Sequence, residues 1–242
     1  MTANKLKLIA CFSMLIDHLT YCFVARYNWV SLTDSSENVW WYLGRGIGRS
    51  AFVIFSFLLV EGFFNTKNLK KYILRLLVTA IIAEAAFDLM CGYFREDNIF
   101  AAQNSVFLFV LALILMYVLL YIEKLYSEKK PAWRYLLSAV ACALFSLATY
   151  FLNIDYGYIG MSLILIFFFF RKQGWRLVVA VIIWSIACLF LEFLLEWAGV
   201  LALIPIMQYN GEKGKGWKWT FYIFYPLHML ILGIIQYIRF CC

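Results

Sequence analysis

The feature that most constrains this chain is a succession of apolar runs, each long enough to cross a lipid bilayer and separated only by short polar stretches. They lie at approximately residues 7–25, 47–64, 72–90, 104–123, 134–152, 157–170, 176–193, 194–209 and 219–238. A hydrocarbon core about 30 Å thick takes about 20 residues of helix to cross. Lipid offers no water to backbone N–H and C=O groups, which leaves helices or closed barrels. The runs lack the apolar–polar alternation of barrel strands. The expected fold is therefore all-α, a polytopic bundle of about nine transmembrane helices forming one domain over residues 1–242. Composition agrees: 65% of residues are hydrophobic and only 14% charged, against roughly a quarter in a soluble domain. Residues 176–209 leave the alternative of eight helices. One helix over that stretch would be about 50 Å long, too long for a single crossing, so a break is expected near Glu196–Gly199.

Positive charge fixes the expected orientation. Lys5 and Lys7 precede the first run, which puts the N-terminus in the cytoplasm. Every second loop is then basic: Lys67, Lys70, Lys71 and Arg75; Lys124, Lys129, Lys130 and Arg134; Arg171, Lys172 and Arg176; Lys213, Lys215 and Lys218. Only Arg26, Arg45, Arg49, Arg95 and Arg239 of the 21 Lys and Arg residues fall elsewhere. The net charge of +7 follows from these loops and suits anionic lipid headgroups or an anionic soluble ligand, not nucleic acid. The first run follows basic residues as a signal peptide does, but Asp17-His18 interrupts it and no small-residue cleavage site follows, so it reads as a retained helix. The seven cysteines form no C-x-x-C pair, and no metal site is expected.

Ionisable side chains inside a bilayer cost at least a few kcal/mol each on insertion scales, so each needs a partner, a cavity or a task. Here they are Asp17, His18, Arg49, Glu61, Arg75, Glu84, Asp88, Asp155, Glu192, Glu196 and His228. A rise of about 1.5 Å per residue puts His18 about 16 Å, His228 about 14 Å and Glu84 about 18 Å from the cytoplasmic end of their helices. The only two histidines thus share a depth with a carboxylate. Histidine moves protons near neutral pH, and a neighbouring carboxylate can orient it. The plainer alternative is that the histidines and charges pair helices. Asp17 need not touch His18, since adjacent helical residues point about 100° apart, and it is open to a partner such as Arg49. Arg49 with Asp88 reads either as an ion pair or as substrate-binding groups. Glu61 and Arg75 fall near the cytoplasmic face, and Arg49, Asp88 and Asp155 near the outer one.

Several stretches then resemble one family in order and spacing. They are Leu6–Ile9 running into Met14–His18, Gly48–Phe52 through Phe55–Phe63, Tyr72–Leu76, Glu84–Leu89, Asp155–Gly157, Asn210-Gly211 with its basic tail, and Phe221–His228. Together they resemble the TraX family, named for a conjugative-pilus protein that N-acetylates pilin, and more distantly the membrane acyltransferases that use a first-helix histidine. Two departures, at Ser50–Val53 and at Ala85-Ala86, remove prolines expected of the family and bear on helix shape.

The resemblance implies a membrane acetyltransferase of a bacterial-type inner membrane that takes acetyl-CoA from the cytoplasm. Its acceptor would be an amine or hydroxyl of a peptide or envelope polymer. The expected catalytic set is His18 as base, Asp17 supporting it, and His228 and Glu84. Arg49, Glu61, Asp88, Asp155 and Tyr225 would bind substrate, and Lys71, Arg75, Asn210, Gly211, Lys213 and Lys215 would meet the CoA phosphates. Two rivals remain open from residues alone: a small secondary transporter using the same groups as a proton relay, against which stands the lack of an internal repeat, and a non-catalytic assembly protein.

Overall fold

The computed structural model describes residues 1–25, 39–92, 101–126, 131–191, 195–216 and 219–241. Lys129, Lys130, Lys218, Glu192, Arg26 and Arg95 lie outside the described residues. Among those described, the regular structure is helical apart from one isolated bridge between Gln103 and Ile154. The helices are α1 (Ala3–Thr20), α2 (Val39–Asn65), α3 (Leu69–Cys91), α4 (Ser105–Tyr126), α5 (Pro131–Phe151), α6 (Gly157–Phe169), α7 (Trp175–Phe190), α8 (Leu203–Met207) and α9 (Thr220–Cys241). A π-helical turn, Tyr21–Ala25, prolongs α1, and a 3₁₀ segment, Glu196–Ala202, leads into α8.

Among the described residues, five helices are long and apolar enough to cross a membrane: Ala3–Phe23, Val39–Asn65, Ser105–Tyr126, Pro131–Phe151 and Phe221–Ile238. Gly157–Phe169, Trp175–Phe190 and Glu196–Met207 are apolar but shorter. α3 has the length but carries Lys70, Lys71, Arg75, Glu84 and Asp88, and it sets its apolar residues against α9. The α3–α9 seam is made by Ala83, Ala86, Met90, Met229 and Leu232, all buried. The main core lies between α2, α4 and α6, around Ile54, Leu113, Met116, Ile164 and Phe167. Large apolar side chains also face outward, as Leu144 and Tyr150 do on α5. A water-facing surface would not carry them so densely, but lipid tails cover them at no cost.

The packing of α1 on α2 depends on small residues. Gly44 and Gly48, one turn apart on α2, lie against Thr20 and Asp17 of α1 with no room for a β-carbon. Small residues spaced in this way let two membrane helices approach backbone to backbone.

Polar contacts tie the two ends of the bundle. At one end the segment after α8 folds over the start of α1. Ala3 N–H donates to the Glu212 carbonyl (2.8 Å), Asn4 N–H to the Lys213 carbonyl (3.0 Å) and Asn4 Nδ2 to the Gly214 carbonyl (3.1 Å). These bonds satisfy N–H groups that a helix start leaves without partners. Gly214 holds φ +77°, with Thr2 where a side chain would go. At the same end Glu61 accepts two bonds from Arg171, at 2.7 and 3.3 Å, joining α2 to the turn after α6. At the other end Gln103 N–H donates to the Asn153 carbonyl and Asp155 N–H to the Gln103 carbonyl, both at 2.8 Å.

The stretch expected to break near Glu196–Gly199 breaks earlier. α7 ends at Phe190, and Glu196–Gly199 is itself 3₁₀ helix. Glu196 then meets Arg49 of α2, whereas Tyr209 packs edge-on against Phe57 of the same helix. The segment therefore runs along α2 from the one level to the other.

Candidate functional site

Three cavities follow one another through the bundle. A middle cavity of about 300 Å³ is walled by α1, α2, α3, α4 and α9 and by the α5–α6 turn, and it carries Asp17, His18, Arg45, Arg49, Asp155 and Tyr225. A second, about 350 Å³, lies at the Glu61–Arg171 end and carries Lys7, Tyr72, Arg75, Lys213 and Tyr222. The two share Phe55, Leu76 and Phe109, which stand between them. A third, about 470 Å³, opens at the opposite end around Tyr150, Asn153 and Tyr158. It shares Arg49, Ala102, Asp155 and Tyr156 with the middle one.

The two histidines meet. His18 Nδ1 lies 2.7 Å from His228 Nε2, and His228 Nδ1 lies 2.7 Å from the Phe224 carbonyl oxygen. The tautomers follow, because a carbonyl can only accept. His228 therefore donates through Nδ1 and accepts through Nε2, and His18 must donate its Nδ1–H into that lone pair. A neutral imidazole has one protonated nitrogen, so His18 Nε2 is left with its lone pair free, as a base requires. The ring of His228 is held flat on Phe224, centroids 4.6 Å apart. Pro226, which cannot donate to the carbonyl one turn before it, sits inside this stretch of α9.

Asp17 supports the pair from a distance. Its Oδ2 lies 4.0 Å from His18 Nε2, too long for a hydrogen bond, and accepts from Arg45 Nη1 at 2.8 Å. Asp17 is 6% exposed, and its Oδ1 is buried without a hydrogen-bond partner among the described residues. Arg49 Nη1 donates to Tyr156 at 2.7 Å and pairs with Glu196 at 3.3 Å. Phe52 stacks on Tyr156 at 3.8 Å and fixes that ring. Asp155 opens the turn into α6, its Oδ1 accepting from Tyr156 N–H at 3.0 Å. Burial pushes its carboxyl up from the ordinary carboxylate range, against the pull of the Arg49 guanidinium.

The structure separates residues that depth alone had grouped. Glu84 does not line the middle cavity. It accepts from the backbone N–H (3.1 Å) and the side-chain amide of Asn104, fastening the start of α4 to α3. Asp88 does not pair with Arg49 and lines none of the three cavities; its Oδ1 is buried without a partner among the described residues. Asp17 pairs with Arg45, not Arg49. Glu61 stands at the basic end, one cavity away from the histidines. Tyr225 and Asp155 do line the middle cavity.

Of the residues expected to meet phosphates, Arg75, Gly211 and Lys213 line the basic-end cavity, whereas Lys71, Asn210 and Lys215 do not. Asn210 instead donates its N–H to the Met1 carbonyl (2.9 Å). Lys7 takes a place there that the sequence reading left to membrane orientation, its Nζ 5.0 Å from the Phe221 ring centroid. Arg45 and Tyr156 were missed as well. For Arg45 the available signal was Gly44-x-x-x-Gly48, which predicts a close helix contact beside it.

Apolar helices enclosing a histidine pair, with carboxylates and guanidiniums on the same cavity, define a helical membrane protein with a site capable of proton transfer inside the bundle. Comparison with known proteins makes this specific. The family described as TraX protein matches residues 2–236, and the chain belongs to that family. It is also 27% identical over 250 aligned residues, covering 96% of this chain and 94% of the relative, to a protein of Dichelobacter nodosus named "Probable fimbrial assembly protein FimC, serogroup H1". No solved structure matches.

Proposed function

We propose that the chain is a membrane-embedded acetyltransferase. It would move an acetyl group from acetyl-CoA, entering at the cytoplasmic face, to an amine or hydroxyl of a membrane or envelope acceptor. The observation that carries this reading is the free lone pair that the His18–His228–Phe224 hydrogen-bond chain leaves on His18 Nε2, in a residue that lines the middle cavity. An amine or alcohol must lose a proton as it attacks a thioester, and an oriented base supplies that step. His18 Nε2 takes the proton as the acceptor's nitrogen or oxygen bonds to the acetyl carbon. The carbon–sulfur bond then breaks, and His18 returns the proton to the CoA sulfur. His228 holds the ring of His18, and Asp17 offsets the charge that His18 gains.

Lys7, Arg75 and Lys213 on the basic-end cavity suit the phosphates of the donor, and Arg75 Nε there is buried without a partner among the described residues. The acetyl end would pass between Phe55, Leu76 and Phe109, and the acceptor would arrive through the opposite cavity. The relative named for fimbrial assembly favours an envelope peptide among the acceptors. A proton-relay transporter is disfavoured by the same chain, since it ends on a carbonyl that passes no proton onward.

We read the whole of residues 1–242 as one domain of a bacterial inner membrane, with nine crossings, the N-terminus in the cytoplasm and Glu196–Met207 as the eighth crossing. The direct test is radiolabelled acetyl-CoA added to membranes carrying the chain or its His18→Ala variant. Label should pass to an envelope component with the wild type only. A wild type that binds no acetyl-CoA and transfers no label would remove the reading.

A further inference from the structure

An oriented base deals with the proton, but a thioester under attack also places negative charge on its carbonyl oxygen, and that oxygen needs a donor. Tyr225 and Ser105 supply a hydroxyl pair on the wall of the middle cavity, Oη to Oγ 3.3 Å. An ordinary hydroxyl pair sits at about 2.7–2.8 Å, so this one is stretched. Two hydroxyls hold two hydrogens, and a bond between them uses one. The other is left to turn into the cavity.

Other donors reach the same cavity and differ in place or commitment. Thr79 Oγ1 donates to the Arg75 carbonyl at 2.8 Å. Arg45 is bonded to Asp17, and Arg49 to Tyr156 and Glu196. Arg49 and Tyr156 also line the cavity at the opposite end, the side from which an acceptor would come. Tyr225 does not. Along α9, Phe221 and Tyr222 line the basic-end cavity, Tyr225 follows one turn later on the middle cavity, and His228 one turn after that holds His18. A thioester carbonyl coming from the basic end therefore meets Tyr225 before it reaches the base.

We infer that Tyr225, with Ser105 behind it, donates the hydrogen bond that stabilises the oxyanion as the acetyl thioester is attacked. The assignment rests on the acetyltransferase reading and adds a catalytic residue to it. In balanced form, the acceptor's electron pair forms the new bond to the acetyl carbon, the carbonyl π pair moves onto oxygen beside Tyr225, and the acceptor's proton goes to His18 Nε2. The oxygen pair then reforms the carbonyl and expels the CoA sulfur, which takes the proton back.

The experiment compares acetyl-CoA with its dithio analogue, in which C=S replaces C=O, on the full chain in vesicles. Sulfur accepts hydrogen bonds weakly, so a wild-type enzyme using this donor works much faster on the oxygen substrate. Tyr225→Phe should lower kcat with acetyl-CoA by about 10²–10³-fold, the usual loss for one such donor, with KM little changed. It should also bring the oxygen-to-sulfur rate ratio towards one. Ser105→Ala should lower the same ratio less, and Tyr156→Phe should leave it alone. Should Tyr225→Phe fail to fold, Ser105→Ala decides by the same ratio. A wild-type ratio retained in the variants that fold would overturn the assignment while leaving the acetyltransferase reading intact. A wild type inert towards acetyl-CoA would remove both.

Discussion

Gly48 of α2 lies so close to Asp17 of α1 that a β-carbon at residue 48 would fall on the aspartate side chain. The same contact holds Asp17 where Oδ2 reaches Arg45, so the close helix approach and the charge arrangement are one feature. Gly46, on the next face, has ordinary space, since its β-carbon would come 3.4 Å from that of Ala198. Gly48→Ala should therefore destabilise the folded protein by about 1–3 kcal/mol, the usual cost of overpacking. Gly46→Ala should lie within about 1 kcal/mol of wild type, helped by alanine's better helix propensity. Thermal melts in detergent compare the two, and equal melting temperatures would refute the tight contact.

His228 is assigned here to hold His18, and its replacements should rank by hydrogen bonding, not by size. Gln keeps an oxygen able to accept from His18 Nδ1–H, and Leu keeps none. His18→Ala should lose transfer by about 10²–10⁴-fold, the range for a general base. His228→Leu should lose less than that, and His228→Gln less again, with acetyl-CoA binding kept in all three. The check is specific activity of folded protein. A His228→Leu variant as impaired as His18→Ala would make both histidines proton carriers.

Much of this was legible in sequence, and the limit has a physical cause. The apolar runs gave the helices to within a few residues at most ends, because burying backbone in lipid forces helix wherever apolar residues persist. Residues 104–123 became Ser105–Tyr126, and 157–170 became Gly157–Phe169. Counting rise along two helices brought His18 and His228 to one depth, and they touch. Rise says nothing about rotation, however. Glu84 shares that depth but turns to Asn104, and Arg45 turns inward although it sits in a stretch counted as outer loop. Charge counts marked the basic stretches but did not select Lys7 over Lys71, which takes side-chain direction as well as position.

The topology gives a third prediction. Single cysteines at Lys67, Lys172 and Lys215 should all react with an impermeant thiol reagent from the cytoplasmic side, and one at Asn153 only from the opposite side. Glu61 bonds Arg171, and Glu212 to Gly214 cap α1, so the first three positions share one end of the bundle. Lys215 reacting with Asn153 would mean that residues 176–209 cross once.

The basic-end cavity yields the last prediction, because here position in sequence and position in space disagree. Lys71 and Arg75 lie in the first turns of α3, Lys213 and Lys215 in the segment before α9, and Lys7 in the first helix. Lys7, Arg75 and Lys213 wall the cavity, while Lys71 and Lys215 do not. If the cavity holds the donor's phosphates, replacing Lys7, Arg75 or Lys213 by Gln should raise KM for acetyl-CoA, each by about 10-fold or more for a lost charge-assisted bond of about 1.5–3 kcal/mol. The same change at Lys71 or Lys215 should leave KM within about twofold, since exposed charges contribute about 0–1 kcal/mol. Because the bound groups would be anionic, added salt should raise KM for the wild type and raise it less for the Arg75 variant. The rate at saturating donor should hold in every case, because none of these side chains lines the cavity of His18. Five Gln variants assayed over a range of acetyl-CoA concentrations give the answer. A KM that responds equally to all five would mean the loops attract the donor only by their summed charge, and the phosphates would then have to be sought outside this cavity.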